Sequence, residues 1–162
     1  MLENLTTERL ILNNLSLNDT AFIYELVNTP EWIRFIGQRH VNNLEDAANY
    51  INRILNNVNA NYTTVRLKDN STPIGVITFL QRDYLPHPDI GFAFLPQFGK
   101  KGYAYEAAKA VFDNLKQTNL HTIILATTLS DNVHSIQLLE KLGLQFDKEI
   151  NIGDEKLLLY ST

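Results

Sequence analysis

Two glycines and two lysines stand together at Gly99-Lys100-Lys101-Gly102, and their neighbours make the combination chemically useful. Asp89 to Leu95, ahead of them, reads as a strand. Tyr103, Ala104 and the alanines that follow read as the opening of a helix. A turn at that junction offers free backbone N–H groups and the positive end of a helix to an anion. Lys100 and Lys101 add charge, Gly102 permits close approach to the backbone, and Ala104 keeps the next position small. The stretch lacks the long spacing and Lys-Ser/Thr ending of a Walker A loop, and it lacks the three spaced glycines of a dinucleotide fingerprint. A plain solvated turn carrying two surface lysines fits the local pattern equally well.

A second group lies at Asn132 and Ser135, one helical turn apart. Asn132 follows an apolar strand and precedes a helix, so its amide can cap that helix or bond an extended ligand beside it. His40, His87, His121 and His134 show no metal-ligand spacing, so no metal is expected. The absence of cysteine removes disulfides, thiolate metal sites and a thiol nucleophile.

These groups need a scaffold, and the periodicity supplies one. A strand is expected at Arg9–Asn13 and a helix at Asp19–Val27, with Phe22, Ile23 and Leu26 on one face. Pro30 suits the first turn of a short helix through Ile33. Another helix runs from Asn43 to Leu55, with Ala47, Tyr50, Ile51 and Ile54 at helical spacing. The pattern then changes to strands at Thr63–Leu67, Ile74–Leu80 and Asp89–Leu95, whose short connections favour an antiparallel meander. A helix from Gly102 to Gln117, a buried strand at His121–Ala126 and a helix from Asn132 to Leu142 follow. Phe146–Ile152 and Glu155–Tyr160 form a hairpin around Gly153-Asp154. The expectation is one domain over residues 1–162, of mixed α/β (α+β) class. Its mostly antiparallel sheet has six to seven strands and about four flanking helices.

Composition bounds the partners. The 162 residues carry a net charge of −4, which argues against nucleic acid, since a duplex binder needs a basic face. No apolar run reaches the length of a membrane span, and the first residues lack the basic and apolar segments of a signal peptide. A cytoplasmic location without membrane contact is expected.

Taken together, Gly102-Tyr103-Ala104 and Asn132-x-x-Ser135 resemble the two acetyl-CoA motifs of the GNAT (Gcn5-related) N-acetyltransferase superfamily, closest to its RimJ/RimL-like branch. Tyr105-Glu106-Ala107, Glu140-Lys141-Leu142-Gly143, Thr7-Glu8-Arg9-Leu10 and Asp89-Ile90-Gly91-Phe92 fit the same pattern in the same order. Gly99 departs from the usual Gln, Arg or aromatic residue, and Lys100 from a frequent glycine. Leu139 stands where many members carry a tyrosine that protonates the leaving thiolate.

The resemblance implies the GNAT fold and direct transfer of acetyl from acetyl-CoA to a primary amine in a ternary complex. Protein N-termini, polyamines and small-molecule amines are its acceptor classes. It implies that two central strands splay apart and that the pantetheine arm pairs with backbone around Phe94 and Leu95. The pyrophosphate would rest on Gly99, Lys100, Lys101, Gly102, Tyr103 and Ala104, with Asn132 on the arm and Ser135 toward the phosphates. Asp89 becomes the candidate general base, with Glu31 and His87 behind it, and Trp32 and Phe35 line the acceptor side. The chain would be a monomer or homodimer. A non-catalytic domain of the same fold that senses or holds acyl-CoA is the alternative.

Overall fold

The computed structural model describes residues 4–162. One eight-stranded sheet organises them: β1 (Leu5–Thr6), β2 (Leu10–Asn14), β3 (Ala60–Leu67), β4 (Pro73–Leu80), β5 (Asp89–Phe94), β6 (Leu125–Thr128), β7 (Gln145–Ile152) and β8 (Glu155–Ser161). Their order is β1-β2-β3-β4-β5-β6-β8-β7, and every neighbouring pair is antiparallel except β5 with β6. Five helices flank it: α1 (Thr20–Val27), α2 (Pro30–Phe35), α3 (Leu44–Leu55), α4 (Tyr103–Gln117) and α5 (Val133–Leu142).

The sheet alternates its side chains between two apolar layers. Leu10, Leu12, Val65, Ile77, Phe79 and Ile90 point to α4 and α5, where Ala107, Ala108, Val111, Phe112, Leu139 and Leu142 meet them. Val76 and Leu95 join the opposite layer, which α1 to α3 fill with Phe22, Ile23, Leu26, Trp32, Ala47, Tyr50, Ile51 and Ile54. Local signals set the helix ends. Thr29 Oγ1 accepts from Trp32 N at 3.3 Å ahead of Pro30, and Asn43 Oδ1 accepts from Asp46 N at 2.8 Å.

The mixed, mostly antiparallel class expected from the pattern is what the chain adopts, with one strand more than expected. The added strand, β1, is two residues long, too short to leave a periodic trace. The apolar run at His121–Ala126 is the larger difference, because β6 begins only at Leu125. An apolar run reports burial rather than pairing. Here the first backbone bond to β5 is Leu125 N to Pro88 O, 2.9 Å.

Asp19 locks the two halves of the α1–α3 layer to the sheet. It is 2% exposed, accepts from Ser16 N (2.9 Å) and Thr64 Oγ1 (3.0 Å), and pairs with Arg66. Asp19→Ala strips a half-buried guanidinium and a buried hydroxyl of their acceptor. It is expected to cost about 2–4 kcal/mol, read as a lower urea midpoint at unchanged slope.

Candidate functional site

β5 and β6 are paired at a single register, Asp89 with Leu125. Beyond it β5 stays bonded to β4 as far as Phe94, and β6 stays bonded to β8 as far as Thr128. The two parallel strands therefore part toward their C-terminal ends and leave a wedge between them. Leu95 N donates to Ile74 O of β4 (2.8 Å), whereas Pro88 O accepts from the β6 side. Strand alternation then turns the N–H and C=O groups of Ile90, Phe92 and Phe94 into the wedge. At Ile90 the N–H is taken by the bridge of Asp89 with Leu125, whereas the N–H and C=O groups of Phe92 and Phe94 have no strand partner there, which suits an extended amide-bearing ligand. Phe94 turns its backbone N–H and C=O toward the wedge, whereas Leu95 N–H is spent on β4 and its side chain is buried in the α1–α3 layer.

Both strands lead into helices at the open end of the wedge. After Leu95 the chain makes a short 3-10 turn, Pro96–Phe98, and reaches Gly99. Lys100 has φ +61° and Gly102 has φ +80°. The left-handed region costs a lysine about 1–2 kcal/mol and a glycine almost nothing. That conformation accounts for the fit of a glycine at position 100 in the family the sequence resembles. Gly102 caps α4 with no side chain on the first N–H groups, so the amides of the first turn stay open to an anion. Lys100 and Lys101 are exposed beside them.

A side-chain anchor absent from the sequence expectations fixes this turn. Glu106 Oε1 accepts from Thr7 Oγ1 (2.6 Å) and Arg9 N (2.9 Å), and Oε2 accepts from Arg9 Nε (2.7 Å). Arg9 Nη1 donates to Lys101 O (2.9 Å), and the guanidinium lies over the Tyr103 ring, 4.4 Å from its centroid. Burial pushes the Glu106 carboxyl up, but the bonds from Thr7 and Arg9 outweigh it and hold it below the ordinary 4.5. Glu106 thus pairs across the fold rather than with Lys109, whose partner is Asp113. A carboxylate in the first turn of α4 would otherwise compete for the amides an anion needs.

Asn132 caps α5 through Oδ1, which accepts from Ser135 N at 3.3 Å. Its Nδ2 makes no hydrogen bond among the described residues, so capping and ligand contact are compatible. Arg34 of α2 reaches Asp131 Oδ2 at 2.8 Å and brings the Trp32–Phe35 helix to the mouth of the wedge. Both partners are more than half exposed, so the pair is worth less than about 1 kcal/mol and acts mainly as a positional tie.

Asp89 sits at the closed end of the wedge. Its side chain is 3% exposed and Oδ1 accepts from Arg82 Nε at 2.9 Å. Burial raises the carboxyl above its ordinary 3.8, and the Arg82 guanidinium only partly offsets this. Trp32 is buried with Tyr50 and Tyr62 in the α1–α3 layer, and its Nε1–H has no hydrogen-bond partner among the described residues. An orphaned donor of this kind costs about 1–3 kcal/mol. Phe35 is half-buried beneath the Arg34 guanidinium, 4.7 Å from its ring centroid.

Glu31 is exposed in the first turn of α2. His87 lies on the rim of a separate hollow of about 240 Å³, floored by Leu85, Leu125 and Leu159. Among the described residues no three His, Asp or Glu side chains converge on a metal position, and no helix is long and apolar enough to cross a membrane. Arg9 and Arg82 were the functional positions least visible beforehand. Arg9 lies in the Thr7–Leu10 stretch and Arg82 in a connection, and neither placement foretells the partner that the fold supplies.

Comparison with known proteins bears on the fold and the family. Residues 9–145 match the family model of the acetyltransferase (GNAT) domain. An uncharacterized N-acetyltransferase of Bacillus subtilis, YnaD, is 32% identical over 157 residues, covering 94% of this chain and 91% of that protein. A GNAT-family acetyltransferase from Bacillus anthracis superposes with a TM-score of 0.82 at 25% identity, covering 99% of this chain and 98% of its own. The aminoglycoside acetyltransferase AAC(6')-Ib, solved with coenzyme A, gives 0.79 at 19% identity over 94% of each chain and shares the fold.

Arg9→Ala is expected to speed hydrogen exchange at the Tyr103–Glu106 amides and to lower stability by about 1 kcal/mol at neutral pH. Glu106 is held below its unfolded value, so its contribution is present above that value and is lost as the pH falls through the lower, folded one. The gap between wild type and variant should therefore close in acid. Unaltered exchange at these amides would show that Arg9 does not hold the turn.

Proposed function

The chain belongs to the GNAT acetyltransferase family, and from that premise we propose that it moves an acetyl group from acetyl-CoA directly to a primary amine within a ternary complex. The wedge carries this proposal: its unspent backbone groups at Phe92 and Phe94 lead to an uncapped helix end flanked by two lysines. On this assignment the pantetheine arm lies against β5, and the pyrophosphate rests on the Gly102–Tyr105 amides with Lys100 and Lys101 beside it. The Asn132 Nδ2 group donates to the arm, and Ser135 faces the phosphates.

The amine nitrogen attacks the thioester carbon, and the carbonyl oxygen takes up negative charge. A backbone N–H of β5 facing the wedge is suited to stabilise it without any side chain. The C–N bond forms, the C–S bond breaks, and the proton that the nitrogen sheds is equivalent to the one the thiolate gains. Asp89 is the proposed acceptor of that proton. Its raised pKa makes it a stronger base than an exposed aspartate, and Oδ2 is free of the Arg82 contact. Leu139 is buried in the α4–α5 layer and offers no proton. Proximity within the ternary complex then supplies much of the rate.

Thiol release with acetyl-CoA and an amine panel tests the proposal. Tight acetyl-CoA binding without turnover on any amine would instead favour the acyl-CoA sensor. Gly102→Asp sets a carboxylate and a Cβ where phosphate would approach. Acetyl-CoA affinity by calorimetry should fall at least about tenfold, and unchanged affinity would move the phosphate site elsewhere. Asp89→Asn should lower turnover about 100-fold while sparing acetyl-CoA affinity. Because the folded pKa is raised, the acid limb of the wild-type rate profile should lie above 3.8. Wild-type rates in the variant would remove Asp89 as the base.

A further inference from the structure

The layer of α1 to α3 faces the wedge from one side, and its charges are unevenly matched. Arg34 meets Asp131, Arg66 meets Asp19, and Arg82 meets Asp89. Arg39, in the segment between α2 and α3, is half-buried and meets no carboxylate among the described residues. Its guanidinium folds back over Gly37, where a Cβ would lie 3.1 Å from Nη1, and stands 6.0 Å from the Trp32 ring centroid. Trp32 holds its buried, unpartnered Nε1–H in the same cluster as Tyr50 and Tyr62. Arg39 and Arg82 both bear on the Tyr62 phenol, which burial keeps protonated and which shares a hydrogen bond with the Tyr50 hydroxyl, so the pair has one O–H left to donate.

Three kinds of donor, one of them charged, thus lie in one layer, and Arg39 has no carboxylate partner among the described residues. Tyr62 pairs across the sheet with Thr78, and Thr78 with Gly91 of β5. Two strand spacings, about 10 Å, therefore separate the Tyr62 backbone from the strand that forms the wedge.

We propose that Arg39, the Trp32 indole N–H and the Tyr62 hydroxyl form an anion subsite on the acceptor side of the wedge, and that the amine this chain acetylates carries a carboxylate on a short chain. A carboxylate matches the fork of a guanidinium and accepts from the indole and phenol at once. A polyamine would bring a second cation against an uncompensated arginine. The proposal rests on the transferase activity proposed above and specifies its acceptor.

Glycylglycine and its C-terminal amide differ only in that charge, and spermidine supplies the cationic comparison. In thiol-release assays wild type should show kcat/KM at least about tenfold higher for glycylglycine than for the amide. Arg39→Gln should bring the ratio within about twofold while the KM for acetyl-CoA stays unchanged, and Arg39→Lys should keep part of the preference. Equal or better turnover of the amide or spermidine by wild type, or a preference that survives Arg39→Gln, would overturn the subsite.

If no amine is acetylated, the transferase proposal fails, and the subsite is judged by binding. Trp32 is the one tryptophan of the chain, so its fluorescence reports glutarate titration directly. A saturable change in wild type that Arg39→Gln abolishes supports the subsite, and the absence of any saturable change rejects it. Should Arg39→Gln fail to melt cooperatively, Arg39→Lys and Trp32→Phe replace it in the kinetic ratio, where both must lower the preference.

Discussion

Everything at the functional end of this fold depends on a parallel pair of strands that pairs only once. β5 and β6 meet at Asp89 and Leu125 and then diverge, each held by an antiparallel neighbour on its far side. An unpaired backbone row in a sheet is ordinarily a liability. It persists here because both strands are anchored elsewhere and the wedge lies inside the molecule, where only a ligand of the right shape can pair with it. The same divergence sends two helix N-termini to one end, since each parallel strand runs straight on into a helix.

Charge management follows from that geometry. The α4 N-terminus is a useful anion site only if nothing inside the protein occupies it. Glu106 is the obvious competitor, and Thr7 and Arg9 draw it away across the fold. A similar logic applies at Asp89, which is buried and takes its arginine partner from the connection between β4 and β5. In both places a carboxylate close to the site is tuned by a cation from a distant part of the chain or from a neighbouring connection.

The sequence made some of this visible and left some hidden, for physical reasons. Helix periodicity at Ala47–Ile54 and Ala104–Leu115 and the caps at Asn43, Pro30 and Gly143 encode local geometry, so those elements appear nearly where expected. The turn at Gly102 and the cap at Asn132 were legible because helix ends have their own chemistry. β6 was misplaced because Ile123 and Ile124 are buried without entering the ladder, and hydrophobicity alone carries no record of pairing. The roles of Arg9 and Arg82 were invisible in the sequence. Each acts through a partner that only the fold brings near, and a solitary arginine has no pattern to read. The parity that spends Leu95 N–H on β4 and frees Phe94 depends on register, which a single strand does not specify.

The position of β8 has a bearing on how the wedge comes into being. β8 follows every other strand in the chain, yet it lies between β6 and β7 in the sheet. β6 shares one register with β5, so nearly all of its backbone pairing is to β8. During synthesis the β1–β5 meander and the helices on its faces can assemble as they emerge, while β6 waits for residues made some thirty positions later. One wall of the wedge is thus completed last, by a long-range contact, and a chain stopped short of β8 would keep the wall at β5 and lose its opposite.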